Sequence, residues 1–192
     1  MIPGKLTAFG EVIPTKPKEG LTETVKDFKA RYVQTEVSHD NHCLYKSIAH
    51  ILKNKKGFQQ IRKVVQNMMK VDSRWMDYNI SIVNSEDPET LGSIRQRRLD
   101  ETIRSRAAGY QEILMIGKLT GCEIVIHDLR DIPQFGVIKI KNINQTPISV
   151  PIKHLPLEVR RFMNQARTNL GMQREIHISL SWAIDDNGNK CK

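Results

Sequence analysis

A short polar turn, Asp40-Asn41-His42, runs straight into Cys43 and an apolar stripe, and this stretch constrains the chain more than any other. Leu44, Ile48, Ile51 and Leu52 stand at i, i+4, i+7 and i+8, the spacing of one buried helix face. Cys43 therefore falls at or near a helix N-terminus, where free backbone N–H groups and the positive dipole end favour a thiolate. Asp40, just upstream, is placed to cap the turn or to orient backbone N–H groups. Turn, Cys and buried helix together suit a cysteine nucleophile beside an oxyanion-binding loop. They equally suit a half-buried structural Cys at a helix start, because free Cys is often simply buried.

The pattern along the rest of the chain predicts alternating helices and strands. Residues 1–20 are rich in Pro, Gly and Lys and read as an arm, with a short helix over 22–31 carrying Leu21, Val25 and Phe28 on one side. The nucleophile helix spans 43–55. After Gly57 comes a helix with Phe58, Ile61, Val64, Val65, Met68 and Met69 at helical spacing, the Met pair filling core. Residues 72–98 read as a long connection. A helix over 99–120 with Ile103, Ala107, Tyr110, Ile113, Leu114 and Leu119 facing inward ends at Gly121. Strands are expected at 122–127, 136–141 and 147–152. Pro156 opens a helix carrying Val159, Phe162, Met163, Ala166 and Leu170, stopped by Gly171. A last strand, 175–182, puts Ile176, Ile178, Leu180 and Trp182 on one face and His177 on the other.

Composition narrows the function classes. The 192 residues suffice for one full core, and no apolar run approaches the roughly 18 residues of a membrane helix. Met1-Ile2-Pro3-Gly4-Lys5 lacks a signal-peptide layout. Cys43, Cys122 and Cys191 form no CxxC pair, which points to free thiols in a reducing, cytoplasmic setting. Thirty Lys and Arg against 21 Asp and Glu give a net charge of +9. The densest cluster, Arg95 to Arg98 with Arg104 and Arg106, reads either as a solvated helix face or as a nucleic-acid contact, without any accompanying nucleic-acid motif. No His, Cys or acidic group has metal-ligand spacing, so neither metal nor cofactor is expected. His39 and His50 read as surface or helix-face residues, His127 as a structural hydrogen-bonder at a strand end, and His154 as a loop residue.

Asp40, Cys43, Leu44, Tyr45, Ser47 and Ile48 resemble the nucleophile motif of the ovarian-tumour (OTU) family of cysteine proteases, with Asn41 where the family has Gly and His42 where it has Asn. Two further blocks are similar, in the same order. Ala108-Gly109-Tyr110-Gln111-Glu112-Ile113-Leu114, leading to Gly121–Asp128, resembles the family's Trp-Gly-Gly-x-x-Glu-Leu helix and buried strand; Glu175–Trp182 resembles its Ile-His-Leu-x-Tyr strand. The resemblance spans roughly residues 35–182. It implies an α+β, papain-like OTU fold with helices packed around a small central sheet, a domain over 31–192 behind the 1–30 arm, and no cofactor. It also implies a hydrolase, a thiol protease that removes ubiquitin or a ubiquitin-like modifier by attack of Cys43 on an (iso)peptide bond, with Asp40 shaping the oxyanion loop. The family's base, a His-aromatic-Asn segment after the 175–182 strand, has no counterpart before Lys192, where Asp186-Asn187-Gly188-Asn189 signals a turn. His177 is a candidate base only if its strand face lines the cleft with Cys43, whereas the resemblance places it at a non-catalytic position. A catalytically incomplete, ubiquitin- or partner-binding domain and a basic nucleic-acid-associated protein of a virus or mobile element are the alternative readings.

Overall fold

The computed structural model describes residues 4–6, 22–38, 40–72, 108–130, 136–143, 148, 150–181, 183–184, 187 and 190–191. In chain order the elements are β1 (Gly4–Leu6), β2 (Thr22–Thr24), α1 (Val25–Arg31), α2 (Cys43–Ile51), α3 (Phe58–Val71), α4 (Tyr110–Thr120), β3 (Glu123–Asp128), β4 (Val137–Ile143), a 3-10 turn (Ile152–His154), α5 (Leu157–Leu170), β5 (Glu175–Leu180), β6 (Ala183–Ile184) and β7 (Lys190–Cys191). The chain is thus mixed α/β.

Helical spacing translates directly into burial. Ile61, Val64, Val65 and Met68 of α3 are fully buried, and Met69 nearly so. Val159, Phe162, Met163, Ala166 and Leu170 of α5 face the same core, as do Leu44 and Ile48 of α2. Fully burying such a side chain stabilises by about 1.5–3 kcal/mol. Two glycines end helices as expected. Gly121 and Gly171 take φ of 70° and 57°, a left-handed backbone that costs other residues energy, and their N–H groups close the last turns of α4 and α5 on Gly117 and Arg167 carbonyls.

The strands form a five-stranded mixed sheet, ordered β1-β5-β3-β4-β2, and β6 pairs with β7 in a separate antiparallel ribbon. At its centre β3 runs parallel to β5, with Ile124 opposite Ile176 and Val125 opposite His177, and antiparallel to β4. Successive side chains point to opposite faces. Ile124, Ile126, Ile143, Ile176, Ile178 and Leu180 join the core that α2 to α5 supply. His127 and His177 lie on the other face, where Phe28 of α1 and Tyr32 cover them. Among the described residues, the sheet therefore has α1 on one side and the core supplied by α2 to α5 on the other.

Several expectations are revised. The stretch read as an arm contributes β1, β2 and α1 to the fold, and 22–24 is strand rather than helix because it pairs with 137–139. Within the sheet, β1 lies parallel beside β5, Gly4 opposite Ile178 and Leu6 opposite Leu180. The strand expected over 147–152 gives way, in its described part, to the start of the 3-10 turn at Ile152. Helix α2 stops at Ile51; α4 starts at Tyr110, after an extended Gly109 whose N–H bonds the Glu112 carboxylate at 2.7 Å, while residues 99–107 of the expected helix lie outside the described residues. The chain does reverse after Ile184, as the turn signal predicts, so that Lys190 pairs with Ile184. Trp182, His39, most of the 72–98 connection and the Arg95–Arg106 cluster lie outside the described residues.

Candidate functional site

Cys43 is the first residue of α2, and the turn before it is pinned by Asp40. One Asp40 carboxylate oxygen accepts the His42 N–H at 2.8 Å, and the Asp40 carbonyl accepts the Cys43 N–H at 3.2 Å. The other carboxylate oxygen takes the Lys46 ammonium, which also donates to Ser38 Oγ at 2.6 Å. Asp40 therefore orients the turn; the helix cap position itself belongs to His42, which makes no side-chain cap bond. Partial burial pushes the Asp40 carboxyl up, but the bonds from Lys46, the His42 N–H and Ser38 outweigh it and hold the group below its ordinary value. The His42 ring lies against Phe58 with centroids 5.0 Å apart, and its Nδ1 is buried without a partner; Lys46 sits over the same Phe58 ring.

This geometry bears on chemistry in two ways. The Cys43 residue is only 5% exposed and belongs to the core cluster. The two N–H groups best placed to hold an oxyanion are already bonded within the turn. An incoming carbonyl has to replace those bonds before the turn stabilises developing negative charge. Cys122 is still more buried, its thiol donating to the Gln173 carbonyl at 3.4 Å; burial pushes its pKa up, with the Thr120 hydroxyl and Arg174 acting the other way.

His177 is not brought to Cys43 by this arrangement. Its ring is on the α1 face of the sheet, while Ile176 and Ile178, its neighbours on β5, face the core that contains Cys43. On that far face four side chains from three strands form a hydrogen-bonded string. Glu23 Oε1 lies 2.6 Å from His127 Nδ1, His127 Nε2 lies 2.8 Å from His177 Nδ1, and His177 Nε2 lies 2.8 Å from Glu175 Oε2. Burial pushes His127 down to about 4, with the neighbouring His177 and Arg31 adding to the effect. Burial also lowers His177, although the Glu175 carboxylate pulls it back up. Glu23 is raised by burial, against the pull of Arg31. Beside the string opens a cavity of about 440 Å3, lined by Val25, Phe28, Tyr32, Gln34 and Ser181 among others.

Sequence reasoning placed Cys43 and Asp40 side by side, and so they are. It missed Glu23 and Glu175 altogether and read His127 and His177 separately. The available signal was two strands, each with one His on its less apolar face; which strand pairs with which, and in what register, is not written in local spacing. Among the described residues, no group of three His, Cys, Asp or Glu converges to hold a metal ion. No described helix is long and apolar enough to cross a membrane. Set against family models, curated proteins and solved structures, the chain matches none of them.

Proposed function

We propose that this chain is an OTU-like thiol hydrolase acting on the (iso)peptide bond that follows the C-terminal tail of ubiquitin or a ubiquitin-like protein. The observation that carries the reading is Cys43 at the first position of α2, behind a turn whose backbone is held by the Asp40 carboxylate. In this reaction the Cys43 sulfur attacks the carbonyl carbon, the C–N bond breaks, and the amine leaves with a proton. The thioester is then hydrolysed by water. Asp40 acts as a positioning residue through the turn. A ubiquitin carrying a C-terminal electrophile tests this directly. The expected result is a covalent adduct mapped to Cys43, lost in Cys43→Ala and retained in Cys122→Ala. An adduct at Cys122, or none at all, refutes the assignment.

A second reading has its own support: a domain that binds ubiquitin or another partner without cleaving it. The turn N–H groups are engaged within the turn, and the His177 imidazole is turned to the far sheet face. General acid–base help is worth about 10²–10⁴-fold in rate, and His177 is not placed to give it to Cys43. Unmodified ubiquitin retained by the wild type and by Cys43→Ala alike, with ubiquitin chains left intact, favours this second reading.

A further inference from the structure

We infer that the Glu23–His127–His177–Glu175 string is an acid-opened clasp that holds α1 and Tyr32 against the sheet. The argument is a count of protons and does not depend on the role of Cys43. Each neutral imidazole carries one N–H and one bare nitrogen. The 2.8 Å contact between His127 Nε2 and His177 Nδ1 therefore works only when one nitrogen donates and the other accepts. With both rings neutral, their two protons serve the ring–ring contact and one carboxylate contact; a first added proton fills the third contact, so the string accommodates at most one cationic ring. A second cationic ring puts an N–H on every ring nitrogen. Two N–H groups then point at each other across 2.8 Å, and two positive charges share one buried site.

The groups facing the rings reinforce this limit. From β2 comes Glu23, with its second oxygen 3.9 Å from the Arg31 guanidinium of α1. Arg31 opposes positive charge on both rings, and Asp27 of α1 acts on Glu23. From β5 comes Glu175, whose side chain is half exposed and is the solvent end of the string. Tyr32 lies over both imidazoles, its centroid 5.0 Å from His127 and 4.9 Å from His177, and Phe28 lies 5.1 Å from His127. Phe28 is the only buried residue of α1. The cover therefore has little apolar anchorage of its own; besides the rings it is held by the Val25 N–H on the Gly136 carbonyl and by Gln34 Nε2 donating to Ser179 Oγ at 2.9 Å. Both imidazoles are held below their ordinary range, so the clasp is shut at neutral pH and opens as pH falls through their folded values.

Hydrogen exchange read by mass spectrometry tests this in the full chain. The peptide covering 25–34 is followed from neutral pH to about pH 4, corrected for intrinsic exchange and referenced to α3 in the same molecule. The expected result is a selective loss of protection in 25–34, growing by up to about tenfold per pH unit as pH falls from 6.5 toward about 4 if one proton drives opening. In His127→Gln, whose amide can donate to Glu23 and accept from His177, the acid-dependent loss should disappear. His177→Gln serves the same purpose should the first variant fail to fold. Parallel behaviour of 25–34 and α3 in the wild type overturns the proposal. So does an acid response left unchanged in either folded variant.

Discussion

Lys118, in the last turn of α4, and Asp72, at the end of α3, form an ion pair inside the protein. Their Nζ and Oδ2 atoms are 3.6 Å apart, and the side chains are 2% and 0% exposed. At that distance, and at the effective dielectric of about 20 that suits protein sites, the attraction is roughly 4–5 kcal/mol. Desolvation of both groups offsets much of it, so the pair adds little net stability. Breaking it by one side alone is different, because the surviving charge stays buried after losing its counter-charge, at a cost of about 3–5 kcal/mol. Asp72→Asn and Lys118→Met should each lower Tm by roughly 6–20 °C, taking about 2–4 °C per kcal/mol in a domain of this size. The double variant should lose clearly less than the two singles added together, by about 2 kcal/mol or more. Urea unfolding at neutral pH in low and high salt is the assay, since a buried pair is barely screened. Additive single losses, or singles within about 0.5 kcal/mol of wild type as for ordinary surface changes, would refute the reasoning.

Two more outcomes follow from the thiols and the histidines. Iodoacetamide near neutral pH is expected to modify Cys43 before Cys122, because the Cys122 thiol is the more buried, is bonded to the Gln173 carbonyl and has its pKa raised; mass spectrometry that finds Cys122 alkylated first would count against Cys43 as the nucleophile. Global stability should fall on acidification. His127, depressed from 6.5 to about 4, contributes stability that is complete above its unfolded value and is lost as pH falls, about 3 kcal/mol at 1.36 kcal/mol per unit. His177 acts in the same direction, and the raised Glu23 carboxyl in the opposite one, so about 3 is the upper figure for His127 and Glu23 together. A urea midpoint that stays flat or rises between these pH values would refute it.

Much of the helical layer was legible because burial of a helix face is a local matter. Ile61, Val64, Val65 and Met68 announce α3 by spacing alone, and Gly121 and Gly171 announce two helix ends by the backbone they permit. The turn before Cys43 was legible for the same reason, since Asp40 and Cys43 are near neighbours. The sheet was less so. Thr22–Thr24 and Gly4–Leu6 are too short to show alternation, and each is a strand only because a partner far along the chain accepts it. The string from Glu23 to Glu175 depends on three such pairings at once, which is why its members looked like unrelated residues.

The parallel seat of β1 beside β5 also sets an order of events during synthesis. Gly4 lies opposite Ile178, so β1 finds its partner only after the chain as far as β5 has been made. At about 5–20 residues per second, that is a wait on the order of ten seconds or more. Closing so long a loop is entropically costly, and pairings of this kind slow folding. Until then β5 carries an open parallel edge that another strand can occupy. β1 thus docks only once β5 has emerged, and this side of the sheet is the natural point at which a nascent chain can mispair with a neighbour on the same messenger.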